Sequence, residues 1–206
     1  MSVDEILNIL RHEFGNPKSE LDYTNTFELL IAVTLSAQAT DVSVNKVTPK
    51  LFEKYPDPLS LSQADLRDVE MILKTLGLYR NKAKFIVEAS KKLVDEFDGV
   101  VPNNRKDLMS LPGVGRKTAN VVLSEGFGIP AIAVDTHVSR VTKRLGWADE
   151  SASVLEIEKV LMEKLDEKDW AEAHHLLLLL GRYHSTARDK RDIYDILNEL
   201  KEKHGL

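Results

Sequence analysis

Apolar residues recur along this chain at intervals of three and four positions, the spacing that predicts amphipathic α-helices. The opening segment has apolar residues at Val3, Ile6, Leu7, Leu10 and Phe14. Segment 27–35 is apolar on nearly every side, as expected of a helix at the centre of a core. Segments 79–97 and 170–183 are also helical in pattern. The chain therefore predicts a succession of helices and an all-α fold.

Capping and helix-breaking residues predict where several of these helices begin or end. Asn25 precedes the apolar segment 27–35, and Glu28 follows at the distance of a capping box. Pro49 lies inside the next helix and predicts a kink or a break. Ser62 or Gln63 is expected to open the helix that follows a short one at residues 57–61.

The C-terminal part of the chain also reads as helical. The apolar segment 170–183 contains His174 and His175. Neighbouring helical residues lie about 100° apart, so this pair favours packing or hydrogen bonding over a metal site. The last apolar residues occur at i, i+3, i+4 and i+7, which predicts a C-terminal amphipathic helix; they are Ile193, Ile196, Leu197 and Leu200.

Residues 111–120, L-P-G-V-G-R-K-T-A-N, combine a tight turn with a concentration of positive charge. The proline and the glycines end one helix, and the next is predicted to start near Val114. Arg116 and Lys117 then fall in a first helical turn, where the unpaired N–H groups and the helix dipole disfavour cations. A bound anion would favour them.

The hairpin has the features of a phosphate-binding segment. Gly113 and Gly115 lack a Cβ, so the backbone around Val114 can approach a ligand closely, and Arg116 and Thr118 follow at once. A bare P-G-x-G motif is more often an ordinary connection between two helices. The phosphate-binding interpretation depends on the neighbouring cations and on the carboxylate further along the chain.

Asp135 stands where the helix of 136–145 requires an N-cap. Capping alone would explain an aspartate at this position. The same position also suits catalysis, because a helix N-terminus keeps a carboxylate ionised. This carboxylate follows Lys117 by eighteen residues.

Four motifs in the same order give the chain a family resemblance. They are L-S-A-Q-A-T-D at 35–41, G-L-Y-R-N-K-A at 77–83, L-P-G-V-G-R-K-T-A-N-V-V-L at 111–123 and A-V-D-T-H at 133–137. Together they resemble endonuclease III of the helix-hairpin-helix DNA glycosylase superfamily, over roughly residues 1–188.

The resemblance implies an all-α fold of two lobes with a DNA-binding cleft between them. One domain would span residues 19–130 and carry the helix-hairpin-helix motif at about 104–125. The second would be discontinuous, consisting of 1–18 plus 131–206, and would carry Asp135.

The implied activity is that of a bifunctional DNA glycosylase and AP lyase in base excision repair. It would remove oxidised pyrimidines from duplex DNA and cleave the strand 3′ to the abasic site by β-elimination. In this interpretation Lys117 attacks C1′ and forms a Schiff base, while Asp135 stabilises the oxocarbenium-like sugar and can accept the proton. The adenine glycosylase branch lacks a lysine at this position. The remaining alternatives are a monofunctional glycosylase of different base specificity and a non-catalytic DNA-binding module.

Two further residues receive DNA-binding roles from the resemblance. Gln38 would fill the space left by the extruded nucleotide, although the sequence alone suggests a hydrogen bond at a helix end. Leu78 would enter the duplex as an apolar wedge, although a leucine in such a turn would ordinarily pack inward. Neighbouring cations fit phosphate contacts or, almost as well, surface solubility; they are Arg80, Lys82 and Lys84.

Charge and composition limit the possible partners. The 206-residue chain is 43% hydrophobic, enough for a core in one or two small domains. Its net charge of −5 argues against nucleic acid, but residues 113–147 hold five cations and two anions, while 148–172 hold three cations and nine anions. Either a polarised surface or scattered solvated charges would explain this distribution.

The expected setting is the cytoplasm, where a monomer would associate with the nucleoid through damaged duplex DNA. The opening residues indicate a helix start and no secretory signal. The longest apolar run, 176–180, is far shorter than the ~20 residues of a membrane helix.

The C-terminus departs from the family pattern. Endonuclease III proteins commonly end with four cysteines that bind a [4Fe–4S] cluster, whereas this chain has Ser185, Asp192, Asp195 and Lys201 at those positions and no cysteine anywhere. We therefore expect no cluster and no other metal. The C-terminal amphipathic helix is predicted to pack where the cluster loop usually lies, activity is expected to persist, and DNA contacts from that loop are in doubt.

Overall fold

The computed structural model describes residues 1–206, and these form twelve α-helices and no β-strand. The helices are α1 (Val3–Phe14), α2 (Thr26–Leu35), α3 (Asp41–Lys54), α4 (Pro58–Ser62), α5 (Leu66–Leu73), α6 (Tyr79–Phe97), α7 (Arg105–Met109), α8 (Arg116–Val121), α9 (Thr136–Arg144), α10 (Val154–Lys164), α11 (Trp170–Leu179) and α12 (Ile193–Lys203). Single π-helical turns extend α8 over Val122–Gly126 and α11 over Leu180–His184, and a 3₁₀ turn at Glu167–Asp169 precedes α11. The predicted all-α fold is confirmed.

The chain divides into two compact units. The central unit consists of Glu20–Ile129, and the terminal unit combines Met1–Ser19 with Pro130–Leu206. No helix is long and apolar enough to cross a membrane.

Helix α2 forms the middle of the central unit. Residues 27 and 29–35 are all buried, and α3, α6 and α8 pack around them. The Asn25 side chain accepts the Glu28 N–H at 2.9 Å, as predicted. The Glu28 carboxylate accepts instead from the N–H and hydroxyl of Thr24. Helix α2 is therefore buried on all sides and supports the helices that pack around it, including α8 after the hairpin.

In the central unit, α3 has no break at Pro49, where a kink or a break was predicted, and the predicted start of α5 is wrong. Helix α3 runs unbroken through Pro49, because its apolar face is buried at Val44, Val47 and Leu51. Helix α5 starts at Leu66, capped by Asp65, and not at residues 62–63. Ser62 instead ends α4, where its hydroxyl donates to the Leu59 carbonyl at 2.6 Å.

The core of the terminal unit is built from α1, α9, α10, α11 and α12. The predicted C-terminal amphipathic helix is present, since Ile193, Ile196, Leu197 and Leu200 are all buried on one face of α12. Helix α12 packs on α1, and ion pairs from its C-terminal half reach that helix, including Lys201 to Glu5. Burying four aliphatic side chains stabilises this helix by roughly 1.5–3 kcal/mol for each of them.

Candidate active site

The hairpin between α7 and α8 is fixed by local sterics. Gly113 has φ +77°, and a Cβ there would lie 2.8 Å from the Phe85 Cβ on α6, so only glycine fits. Gly115 has an extended backbone and open space around it. The close approach of Gly113 to Phe85 docks the hairpin against α6, while Gly115 leaves the outer side of the turn accessible.

Helix α8 begins at Arg116, two residues later than predicted. Val114 lies outside the helix because its side chain is buried and its N–H donates to the Leu111 carbonyl at 3.1 Å. Its N–H group is therefore used within the turn. The first backbone bond that closes α8 runs from the Ala119 N–H to the Gly115 carbonyl. The N–H groups of Lys117 and Thr118 thus lack an acceptor within the helix.

Lys117 lies in the first turn of α8, as predicted, and is exposed. It forms no salt bridge. The opposite side of α8 is held in the core by Ala119 and Asn120. The Asn120 side chain accepts the Arg105 Nε–H at 2.8 Å and joins α8 to α7, a contact that the sequence interpretation missed. The buried side of α8 is thus held in place, while the Lys117 amine on the other side remains accessible.

Gln38 and Leu78 lie in separate turns of the central unit and share an unusual backbone. Their φ angles are +53° and +57°, and both side chains are exposed. Leu78 is 58% exposed, so it does not pack inward. A left-handed backbone costs a non-glycine residue roughly 1–2 kcal/mol. Such strain at exposed residues is typical of functional positions.

The three cations after Leu78 differ in their surroundings. Arg80 is exposed and stacks over the Tyr79 ring at 4.9 Å, and Lys84 is also exposed. Lys82 is only 4% exposed, and its Nζ has no hydrogen-bond partner. Burial lowers the pKa of this amine. The predicted surface role of Lys82 is therefore wrong.

Asp135 caps α9 in the terminal unit. Its Oδ1 accepts the Val138 N–H at 2.7 Å, as expected from its position, and the side chain is partly buried. Arg140, one turn further along α9, donates to the carbonyls of Gly181 at 2.7 Å and Ser185 at 3.1 Å. Burial and Arg144 lower the pKa of Arg140, and the negative charge of Asp135 opposes this shift. Asp135 is therefore held at the start of a helix that is tied to the segment after α11.

The residues at the four cluster positions do not fit an iron–sulfur cluster. Ser185 is fully buried, and its Oγ accepts from Arg144 at 2.6 Å. Asp192 caps α12, and Lys201 pairs with Glu5. None of these side chains can supply a thiolate. No group of three or more His, Cys, Asp or Glu residues is placed to hold a metal ion, and His174 bonds the Ala133 carbonyl at 2.8 Å.

The chain has extensive similarity to known DNA repair proteins. The HhH-GPD superfamily base excision DNA repair model matches residues 31–167. Endonuclease III of Bacillus subtilis (strain 168) is 52% identical over 178 residues, covering 86% of this chain and 81% of that protein. Endonuclease III of Escherichia coli (strain K12) is 45% identical over 202 residues, covering 97% and 95%.

Solved structures give the same result. A trapped endonuclease III–DNA covalent intermediate, described as an estranged-adenine complex, has a TM-score of 0.89 and 46% sequence identity, covering 98% of this chain and 96% of that chain. The segment matched by the family model starts within α2, ends just after α10 and includes every candidate site residue from Gln38 to Asp135.

Proposed function

Because this chain belongs to the HhH-GPD superfamily of base excision DNA repair proteins, we propose that Lys117 and Asp135 carry its chemistry on damaged duplex DNA. The endonuclease III relatives and the endonuclease III–DNA complexes support a bifunctional DNA glycosylase and AP lyase. The observation that carries the assignment is an exposed lysine without a salt bridge in the first turn of a braced helix, directly after a glycine hairpin. One of the similar solved structures is an endonuclease III–DNA covalent intermediate, which supports a covalent mechanism for this chain.

The first step is extrusion of the damaged nucleotide. Unstacking a base costs a few kcal/mol, and the cost is smallest for lesions that pair or stack poorly. Damaged bases are therefore extruded more readily than normal ones. Leu78 enters the stack as a wedge, and Gln38 fills the space left behind. The strained turns already display both side chains to solvent, so no rearrangement from a buried state is needed.

The second step replaces the base with the enzyme amine. The glycosidic bond breaks with its electrons going to the base, and the lone pair of the Lys117 Nζ forms a bond to C1′. Asp135 stabilises the positive charge that develops on the sugar, accepts the proton that the attacking amine loses and passes it to the departing base. Opening of the sugar ring then gives a Schiff base.

The third step cleaves the strand. The Schiff base acidifies the 2′ proton, whose removal breaks the C3′–O bond and expels the 3′ phosphate as the leaving group. Water then hydrolyses the imine and regenerates Lys117. Base removal and strand cleavage thus depend on one amine.

The hairpin holds the DNA backbone during these steps. Gly113 sets the turn, Gly115 permits close approach, and Arg116, Lys117 and Thr118 supply positive charge and N–H donors to a phosphate. Val114 contributes by anchoring the turn through its buried side chain and does not offer its own amide.

We further propose that the terminal unit works without a cluster. Helix α12 and the hydrogen bonds of Ser185 with Arg144 and Arg140 stabilise the C-terminal region by apolar burial and polar contacts. Oxidised pyrimidines are the expected substrates. The protein would act as a monomer in the cytoplasm, where its DNA substrate is found.

A nicking assay tests the chemistry. Duplexes with thymine glycol, uracil or an abasic site are incubated with enzyme, with and without borohydride. Lys117→Ala should lose strand cleavage and borohydride trapping by at least 10³-fold, roughly the scale for removal of a catalytic nucleophile. Asp135→Asn should bind lesion DNA but lose base removal by about 10²–10³-fold. Lys159→Ala, an exposed lysine on α10, is the matched control and should behave as wild type.

The same assay separates the rival functions. A monofunctional glycosylase would remove the base but give no trapped complex. A non-catalytic binding module would bind undamaged and damaged duplexes equally and cut neither. Full trapping by Lys117→Ala would contradict the assignment of the nucleophile.

A further inference from the structure

A positively charged groove of about 490 Å³ lies in the central unit between α3 and the C-terminal end of α5. Its base is apolar, formed by the buried side chains of Val47 and Ile72. Lys46 and Lys50 project from one wall, and Lys74 lies on the other. None of the candidate catalytic or wedge residues lines it.

No salt bridge offsets the positive charge of this groove. Lys46, Lys50 and Lys74 are exposed and form no salt bridge, and no acidic residue lines the groove. Beyond the groove lining, hydrogen bonds from Lys54 and Tyr55 lower the pKa of Asp68, and the charge of Lys50 adds a smaller contribution. Its carboxylate already pairs with Lys54 at 2.7 Å. Three exposed cations without a salt bridge in one concave site, on a chain with a net charge of −5, point to an anionic ligand.

The two walls of the groove lead directly to the two residues expected to enter DNA. Helix α3 starts at Asp41, three residues after Gln38. Thr75, at the end of the other wall, precedes Leu78 by three residues, a span of at most about 11 Å for an extended chain. One strand of B-DNA carries a phosphate every ~3.4 Å along the helix axis. The groove is therefore within about three nucleotide steps of the Leu78 wedge.

We propose that this groove binds the sugar–phosphate backbone of the duplex on one side of the Leu78 and Gln38 insertion point. The three ammonium groups pair with consecutive phosphates, and the Thr75 hydroxyl adds a donor. Met71, 62% exposed at the rim, contacts deoxyribose. Lys46 and Lys50 lie one helical turn apart on α3. A DNA strand, with its regularly repeated negative charges, fits such spaced lysines better than a single small anion does. The proposal rests on the proposed function, since it requires DNA to be the substrate.

Salt-dependent binding tests the groove. Affinity for a 25-base-pair duplex containing a tetrahydrofuran abasic analogue is measured from 50 to 300 mM salt. The groove variant carries Lys46→Gln, Lys50→Gln and Lys74→Gln together. The matched control carries Lys159→Gln, Lys164→Gln and Lys168→Gln, which removes the same charge from exposed residues in the acidic segment 148–172. Thermal melting confirms that both variants are folded.

Loss of three phosphate contacts should reduce the slope of log K against log salt by about 2.7, and affinity at ~0.15 M salt should fall by roughly 10- to 100-fold. The control variant should keep the wild-type slope. Cleavage by the groove variant, measured at low salt with saturating enzyme, should stay within about twofold of wild type, because Lys117 and Asp135 are unchanged.

The outcomes separate the groove from the chemistry. Equal slopes for the groove and control variants, with wild-type cleavage intact, would overturn the groove proposal and leave the proposed function standing. The same result would be obtained if the groove bound an acidic protein and not DNA. Absence of lesion-dependent cleavage in the wild-type protein would instead overturn the function on which the groove depends.

Discussion

Three non-glycine residues have a left-handed backbone, and two of them are Gln38 and Leu78. The third, Asp98, simply ends α6. Single αL residues are stable only where the surrounding structure holds them. At Leu78 the turn is held by the buried neighbour Leu76 and by the bond from the Lys82 N–H to the Leu78 carbonyl. The backbone is thus strained at two residues whose side chains are exposed. Surface solubility does not require a strained backbone.

The hairpin glycines make a prediction at the residue scale. Gly113→Ala places a Cβ 2.8 Å from the Phe85 Cβ at φ +77°, so the free energy of unfolding should fall by about 2 kcal/mol or more, measured by urea denaturation. Gly115→Ala meets no atom within 4 Å, so its stability should change by less than about 1 kcal/mol. Its affinity for abasic duplex should nevertheless fall, because the proposed phosphate contact requires close approach of the DNA backbone to this position. Equal unfolding energies for the two variants would contradict the packing argument.

At the scale of elements, helices α1 and α12 are joined by a cluster of charges around Glu13. Its carboxylate, only 9% exposed, accepts from Lys203 at 2.7 Å, His204 at 2.7 Å and His184 at 3.0 Å. Burial acts to raise the pKa of Glu13, but the hydrogen bonds from Lys203 and His204 outweigh it and lower the pKa from 4.5 to about 2. Polar contacts thus hold the C-terminal helix in addition to apolar burial.

This shift predicts the acid sensitivity of the terminal unit. Because the pKa of Glu13 is lower in the folded protein, its stabilisation is complete above pH 4.5 and is lost as the pH falls from 4.5 to about 2. Glu13→Gln should lower the free energy of unfolding at pH 7 by about 2–3 kcal/mol, and the variant and wild type should converge near pH 2. Glu163→Gln, at an exposed site on α10, is the control. A constant difference between Glu13→Gln and wild type from pH 7 to pH 2 would refute this account.

The sequence predicted elements best where local chemistry decides them. Asn25 and Asp135 each accept a backbone N–H at a helix start, as cap residues should. At Pro49, where a kink or a break was predicted, the helix does not break, because tertiary burial of α3 offsets the lost hydrogen bond. Only packing with other segments reveals such compensation.

At the scale of the whole molecule, the sequence suggests which residues form the candidate site but does not predict the contacts that hold them in place. Lys117 stands out because its local motif is unusual for a first helical turn. The bond from Arg140 to the Ser185 carbonyl joins residues 45 positions apart and leaves no periodic signal. Lys82 stands between Arg80 and Lys84 in a charged stretch, yet it is buried. The basic groove likewise exists only because α3 packs beside α5.

Charge distribution at this scale explains how an acidic protein can act on DNA. Screening limits surface charges to an effective range of about 10 Å, so the net value of −5 matters less than the local field. The central unit presents Lys117 and the groove lysines, whereas the acidic segment 148–172 belongs to the terminal unit. Binding to DNA should therefore weaken steeply with salt despite the acidic isoelectric point.

The most direct test of the central claim is to identify the amine that bonds to DNA. The wild-type protein is reduced with borohydride in the presence of an abasic duplex, digested with protease and nuclease, and analysed by tandem mass spectrometry. The account predicts a single deoxyribose-derived adduct on Lys117. An adduct on Lys82 or any other lysine, or no adduct while strand cleavage proceeds, would contradict it.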